Sequence, residues 1–203
     1  MTPSREILDL TLEHVSMVFI SVAIAAAIGV SGGIALTRRP GLRRWVLGLA
    51  GVMQTVPSLA LFGFLIPIPL IGGIGKRTAI VALVLYALLP VLRNTLAGIL
   101  GVDPAVRESA VAMGMSGRQL LWEVELPLAS RTILAGIRVA TVTTIGTATI
   151  AAAIGGGGLG VFIFRGLASV DTAQILAGAV PAACMALAAE GGLGWLERKV
   201  SPV

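Results

Sequence analysis

Residues 108–129 read ESAVAMGMSGRQLLWEVELPLA, and they interrupt a chain that is otherwise close to a lipid-soluble polymer. Glu108, Arg118, Glu123 and Glu125 bring charge here, with a glycine at 114 and a proline at 127. The local pattern is that of two short helices joined by a turn. Asp103 suits a helix N-cap, and Pro104 suits the first helical position, where no N–H is needed. The first helix is expected to run to about Met113, with Gly114 as its left-handed terminator. Ser116 with Gln119 three residues on forms a capping box for the second. Pro127 is expected to set a boundary before apolar sequence resumes. Val106, Ala110 and Met113 share one face of the first helix, as Leu120, Leu121 and Val124 do on the second. Either the protein's own helix ends or a soluble partner must cover those faces.

Outward from this stretch, membrane character dominates. The chain has 203 residues, 56% of them hydrophobic and 12% charged, with a mean hydropathy of +0.96. Soluble domains carry about 25% charged residues, so this chain has too few to cover a water-facing surface. Apolar segments fall at about 14–36, 45–66, 78–100, 132–154 and 173–196. The first is about 34 Å long as a helix, enough to span a bilayer. A secretory core is about 7–15 residues behind a positive segment, whereas Glu6, Asp9 and Glu13 against one Arg5 precede this one. It is therefore expected to be a spanning helix.

The net charge of +5 invites a nucleic-acid reading, but the basic residues lie in short clusters between apolar runs and aromatics are only 4%. Loop charges that orient helices in a membrane account for them better. With the N-terminus outside, the cytoplasmic side receives Arg38, Arg39, Arg43, Arg44, Arg93, Arg107, Arg118, Arg131, Arg198 and Lys199. The outer side receives Arg5, Lys76, Arg77 and Arg165, with Arg138 left inside a helix. That bias places the quoted stretch and the C-terminus in the cytoplasm. Cys184 is the only cysteine and His14 the only histidine, which excludes an internal disulfide, a His-based metal cluster and Ser–His or Cys–His catalysis. The expectation is an all-α membrane protein with five transmembrane helices in one transmembrane domain over 1–203, and a polar loop at about 103–127.

The quoted stretch also resembles a known motif. Glu108-Ser109-Ala110, Gly114 and Val124-Glu125-Leu126-Pro127 are similar to the E-A-A…G…I-x-L-P loop of ABC importer permeases, with every spacing matched and Ser109 and Val124 as the departures. The resemblance extends along Gln54-Thr55-Val56-Pro57-Ser58-Leu59-Ala60-Leu61-Phe62-Gly63-Phe64 and Ala87-Leu88-Leu89-Pro90-Val91-Leu92-Arg93-Asn94-Thr95. It continues through Ala135–Arg138, Thr144–Thr149 and Gly155–Gly160 with Phe162–Gly166. These segments look like permeases of the glycine betaine, carnitine and choline osmoprotectant importers. The resemblance implies the fold of the methionine-importer (MetI-like) permeases, with residues Glu108, Ser109, Ala110, Gly114, Val124, Leu126 and Pro127 docking on a cytoplasmic ABC ATPase subunit. It implies further partners: a second permease copy or homologue, an extracytoplasmic substrate-binding protein and membrane lipid, with no nucleic acid. Hydrolysis would belong to the ATPase, leaving this chain no catalytic residues, cofactor or metal.

Polar residues inside the apolar runs are the candidates for a translocation path. Gln54, Thr55, Pro57 and Ser58 interrupt the second run near its middle; they mark either a kinked helix satisfied by a neighbour or a broken one lining a cavity. Thr141, Thr143, Thr144, Thr147 and Thr149 crowd the fourth run, where small residues and self-bonded hydroxyls serve close packing; Thr144 and Thr147 are the pair expected to face a pore. Arg138 and Glu190 are expected to form an ion pair. Gly72-Gly73-Ile74-Gly75-Lys76-Arg77 resembles the end of a phosphate loop, but Leu70 and Arg77 break the pattern. Gly155–Gly160 is expected to turn into a short interfacial helix at Val161–Leu167. Nine aromatics (three Trp, one Tyr, five Phe) are few for an aromatic cage around a quaternary ammonium group, which puts substrate selection in the external binding protein. An importer of another small zwitterion or amino-acid derivative is the nearest alternative. An ATP-independent channel or secondary carrier is the rival of another class; the paired repeats and midplane acids typical of carriers are not evident.

Overall fold

The computed structural model describes residues 3–69 and 71–200. Met1, Thr2, Leu70 and 201–203, which include the ends of the expected 1–203 domain and part of the turn after the second apolar run, lie outside them. The described residues are helical, without strands. Helix α1 covers Pro3–Thr37, α2 Pro40–Thr55, α3 Ser58–Leu65 and α4 Lys76–Leu100. Helix α5 (Pro104–Ala112) and the single turn α6 (Gly117–Gln119) form the interrupting stretch, and a π-helical turn at Leu120–Glu125 leads into α7, Leu126–Ala148. A 3₁₀ turn at Ile150–Ile154, α8 (Gly160–Ser169) and α9 (Thr172–Val200) complete the chain.

Helix α4 occupies the centre, packed between α1 and α7, while α9 lies on α7 and α8. Small residues allow this closeness. A Cβ added at Gly33 would stand 2.7 Å from the Thr95 side chain, and one at Gly136 would stand 2.5 Å from the Asn94 Cβ. Phe62, Met17, Leu83 and Ile145 are fully buried among α1, α3, α4 and α7. Outward, Phe19, Trp45, Leu49, Phe64 and Leu187 are all more than two-thirds exposed, an apolar exterior suited to lipid or to another hydrophobic surface.

Among the described residues, four helices are long and apolar enough to cross a membrane, and five spans result if α2 and α3 count as one. The run expected as one helix over 45–66 is in fact two, meeting at 104°. Val56 and Pro57 are both extended at the break, because proline disfavours a helical conformation in the residue before it. Helix α1 begins well before residue 14. The hydropathy pattern marks where apolar surface starts, whereas the helix continues into water through Glu6, Asp9 and Glu13. Two of those acids anchor it: Glu13 pairs with Lys76 at 2.8 Å and Glu6 with Arg165 at 2.5 Å. Glu13 also accepts from the Gly158 N–H at 3.2 Å, tying α1 to the glycine turn ahead of α8. His14 is buried, with Nε2 3.0 Å from the Ile145 carbonyl; since a carbonyl only accepts, Nε2 carries the proton.

Pro127 does not end a helix. The chain runs helically from Gly117 through Ala148, and the Leu126 N–H reaches back five residues to the Leu121 carbonyl. The wider turn admits the proline ring, which would clash with the carbonyl of residue i−4 in a regular α-helix.

Arg138 and Glu190 do pair, at 2.5 Å, and Glu197 joins them 3.2 Å from the other Arg138 nitrogen and 3.6 Å from Arg131. One arginine on α7 thus holds two acids on α9. Arg138→Glu is expected to lower the melting temperature in detergent. Adding Glu190→Arg restores part of it only, because Glu197 then faces the new glutamate. An unchanged melting temperature in the single variant would show that the network does not hold α9.

Candidate functional site

The elbow between α4 and α7 is built by its own caps. Asp103 Oδ1 accepts from the Ala105 N–H at 2.8 Å, with Pro104 at the first position of α5. At the other end Gly114 has φ +84°, and the Met115 N–H reaches Ala110 O at 3.2 Å while the Gly114 N–H reaches Val111 O at 2.9 Å. This paired closure is the Schellman arrangement. Ser116 Oγ accepts from the Gln119 N–H at 3.3 Å, and Gln119 Oε1 accepts from the Ser116 N–H at 2.9 Å. Of the two short helices expected over about 103–127, the first is present as α5, and the second starts at its capping box but runs on through the π-turn into α7.

The two apolar faces differ in what covers them. Leu121 and Leu126 pack on Ile99, Ala129 and Ile133, so the second arm rests on the C-terminal end of α4 and the N-terminal end of α7. Val124 is half-buried and Ala110 is buried. Val106, Val111, Met113 and Trp122, by contrast, are 42%, 58%, 73% and 62% exposed. Glu108 is exposed beside them and makes no hydrogen bond or ion pair among the described residues. Ser109 donates only to the Ala105 carbonyl within its own helix, at 2.8 Å. Arg107 faces the other way, pairing with Glu125 at 3.0 Å and donating to the Ile99 carbonyl. Arg38, at the end of α1, donates to Gly117 O at 3.2 Å. The elbow is thus fixed to α4, α7 and the α1 terminus on one side and bare on the other.

The break between α2 and α3 opens onto a cavity of about 470 Å³ lined by Gln54, Tyr86, Leu89, Pro90, Arg93, Asn94, Val139, Thr143 and Thr147. Tyr86 secures the break from α4. Its hydroxyl donates to the Val56 carbonyl, which no longer has a helical partner, and its own carbonyl accepts from Gln54 Nε2 at 3.0 Å. Tyr86→Phe leaves that carbonyl unsatisfied and is expected to cost about 1–3 kcal/mol, seen as a lower melting temperature with the secondary structure intact.

Of the residues expected on a path, Gln54 and Thr147 line this cavity. Thr55 is exposed and bonds back to Val52 O at 2.8 Å; Pro57 forms the break with Val56, and Ser58 opens α3. Thr144 does not reach the cavity. It is 1% exposed, turned about 100° around α7 from Thr143, whose place is on the cavity wall. Thr143 and Thr147, four apart, share one helical face. Tyr86, Arg93, Asn94 and Thr143 are wall residues that sequence reasoning missed. A usable signal existed for Arg93, a charge seven residues short of the end of an apolar run. Arg93, expected on the cytoplasmic side, lies inside α4, and Arg131, expected on the same side, lies inside α7.

The geometry joins the two regions. The cavity walls Tyr86–Asn94 and Val139–Thr147 belong to α4 and α7, and those two helices enter and leave the elbow. From Asn94 to Leu100 is about 9 Å of continuous helix at about 1.5 Å per residue. A helical bundle whose cavity walls run unbroken into an exposed, capped elbow has the organisation of a transport permease.

Comparison with known proteins agrees. Residues 12–202 match the family described as "Binding-protein-dependent transport system inner membrane component", and the chain belongs to that family. The carnitine transport permease OpuCB of Listeria monocytogenes is 45% identical over 192 residues, covering 95% of this chain and 87% of the relative. The glycine betaine/carnitine/choline permease OpuCD of Bacillus subtilis is 46% identical over 191 residues, 94% of this chain and 82% of the relative. A solved structure of the methionine ABC transporter MetNI, inward-facing, superposes with a TM-score of 0.88 at 22% identity, covering both chains fully; the fold is shared.

Proposed function

We propose that this chain forms the translocation path of an ATP-driven importer for an osmoprotectant of the glycine betaine, carnitine or choline type. Relatives that match over nearly the whole chain carry those substrates in their names. The observation that carries the mechanism is the elbow: apolar and acidic on its free side, rigidly joined on the other to the helices that wall the polar cavity. Glu108, Ser109, Ala110, Gly114, Val124, Leu126 and Pro127 build the seat for a cytoplasmic ATPase subunit. Glu108 and Ser109 face it, with Val111, Met113 and Trp122 as its apolar contacts. Buried Ala110 and inward-packed Leu126, with Gly114, Val124 and Pro127, hold the seat in shape. Closure of two ATPase subunits on ATP draws two elbows together. Each elbow pulls on the inner ends of α4 and α7, and the cavity walls move with them.

One copy encloses only part of a path, since five spans are too few to surround a zwitterion of this size. A second permease, identical or homologous, closes it by two-fold pairing, the commonest arrangement of closed oligomers. An external binding protein delivers the solute to the face carrying α8, and the N-terminus lies on that face with the elbow in the cytoplasm. Gln54, Thr143 and Thr147 lie along the route, and Thr55, Pro57 and Ser58 form its hinge. This chain is a transport subunit without catalytic chemistry of its own.

The test is uptake of labelled glycine betaine, carnitine and choline into liposomes holding the complete complex, with ATP inside and the binding protein outside. ATP-dependent uptake of at least one is the expected result. Uptake that continues without ATP would establish a channel or secondary carrier instead, and ATP-dependent uptake of amino-acid derivatives alone would replace the substrate class.

A further inference from the structure

We infer that Arg107 is the strut of the elbow: it sets how much of a displacement imposed on α5 reaches α4 and α7, and so how much solute moves for each ATP hydrolysed. The inference rests on the proposed importer function and deepens it. Arg107 is a positioning residue, acting through the two helices that wall the cavity.

Apart from this side chain, little holds α5 to the bundle. Among the described residues of α5 only Ala110 is buried, and one methyl group gives a small grip. Val106, Val111 and Met113 are exposed, as is Glu108. Asp103 and Ser109 bond only to the backbone of α5 itself. Arg107 is the one side chain of α5 with a polar contact outside the helix among the described residues.

Local sequence works against a cation at this position. Arg107 stands in the first turn of α5, beside the positive end of that helix's dipole, where acids are favoured. Its guanidinium turns instead to the opposite pole of another helix. It donates to the Ile99 carbonyl, one of the terminal carbonyls of α4 that have no α-helical partner and that favour a cation. Its Nε stands 3.0 Å from Glu125 Oε1, in the turn that opens α7. The two side chains are 27% and 14% exposed, so water screens this pair less than one on an open surface. A planar guanidinium holds two acceptors in fixed directions, which an ammonium does not. A residue placed against local preference, with both ends of its fork met by other elements, marks a tertiary use.

That use is mechanical. With the link in place α5, the end of α4 and the start of α7 move as one body, because Leu121 and Leu126 already fasten the π-turn to Ile99 and Ile133. Without it, α5 keeps only its two chain ends and Ala110. It can then tilt under a pull on Glu108, Val111 and Met113 and leave Ile99 and Glu125 behind. Arg38, bonded to Gly117 O, steadies the second arm and does not replace the strut.

The experiment compares wild type, Arg107→Ala, Arg107→Lys and Glu125→Gln in the complete complex in liposomes, with glycine betaine, carnitine and choline as probes. Co-purification of the ATPase subunit shows assembly, and uptake and ATP hydrolysis are then read on the same vesicles. In Arg107→Ala the ATPase is expected to stay bound and active, while uptake per ATP falls at least about fivefold, the low end of typical coupling between sites. Arg107→Lys, which keeps the charge, and Glu125→Gln, which keeps the Ile99 contact, are expected to lose less. A ratio unchanged in Arg107→Ala overturns the inference, whether both rates hold or both fall together. Loss of the ATPase subunit from Arg107→Lys and Glu125→Gln overturns it too, since that makes Arg107 part of the seat. Where Arg107→Ala does not assemble, the ratio in Glu125→Gln decides: a fall supports the strut, and no change overturns it. Wild type that takes up none of the three solutes under ATP fails the importer reading and the inference with it, whereas wild-type uptake with an unchanged variant ratio fails the inference alone.

Discussion

Gly114→Val is expected to detach the ATPase subunit from the complex and to cut ATP-driven uptake at least about tenfold. A non-glycine residue in the left-handed region costs roughly 1–2 kcal/mol, more when β-branched. The two hydrogen bonds that close α5 depend on φ +84° at this position. Without them α5 frays from its C-terminal end, and Val111, Met113 and Glu108 lose their common surface. The bundle itself is untouched, because a side chain at Gly114 meets nothing within 4 Å. The loss is thus confined to coupling: the melting temperature of the isolated permease stays near wild type while co-purification of the ATPase falls. Glu108→Ala is the companion variant. Its carboxylate is exposed and engages no other group of this chain among the described residues, so the fold loses nothing and any defect belongs to the partner contact. If both variants retained the ATPase and full uptake, the elbow would not be the seat of coupling.

Gly160→Val is expected to unfold the α8 end of the bundle. A Cβ there would lie 1.8 Å from the Thr149 carbonyl oxygen and 2.9 Å from the Ala152 Cβ. A backbone carbonyl cannot swing aside as a long side chain can, so α8 must lift from the 3₁₀ turn. Leu159 and Phe162, 0% and 8% exposed, lift with it, as does the Gly158 N–H that holds Glu13. The expected cost is about 3 kcal/mol, the upper end of overpacking penalties, read as a large fall in melting temperature or as loss of the protein from the membrane. Gly146→Ala is the control. Its Cβ would meet nothing within 4 Å in the last turn of α7, so alanine there is expected to leave the melting temperature unchanged or slightly raised. Equal melting temperatures for the two variants would refute the packing at the α8 start.

Much of the architecture was legible because it follows from short-range rules. A spanning helix is recorded in about twenty apolar residues, and the elbow in caps that act within four residues: Asp103 on Ala105, Ser116 on Gln119, Gly114 on its own φ. Those positions behave in three dimensions as their types require. Where the pattern misled, a different length scale was in control. The 45–66 run looked continuous because hydropathy does not register direction, and the 104° bend becomes tolerable only because Tyr86, thirty residues on, supplies a donor to the stranded Val56 carbonyl. Pro127 looked like a boundary because a π-turn that widens the helix for a proline leaves no compositional mark.

The candidate site divides along the same line. Glu108, Gly114 and their neighbours were identifiable in the chain because the elbow is built from consecutive residues. The cavity wall was not, because it draws Gln54 from α2, Tyr86–Asn94 from α4 and Val139–Thr147 from α7, and only packing decides which face of each helix turns inward. Thr144 and Thr147 differ by three positions and Thr143 and Thr147 by four; one residue of rotation, about 100°, sends Thr144 into the core and Thr143 to the wall. Amino-acid order alone determined a membrane bundle with a capped elbow, since both depend on contacts within a turn or two of helix. The tertiary structure alone decided which polar groups meet and which charge is left unpaired, since those depend on how α4 and α7 are turned against each other.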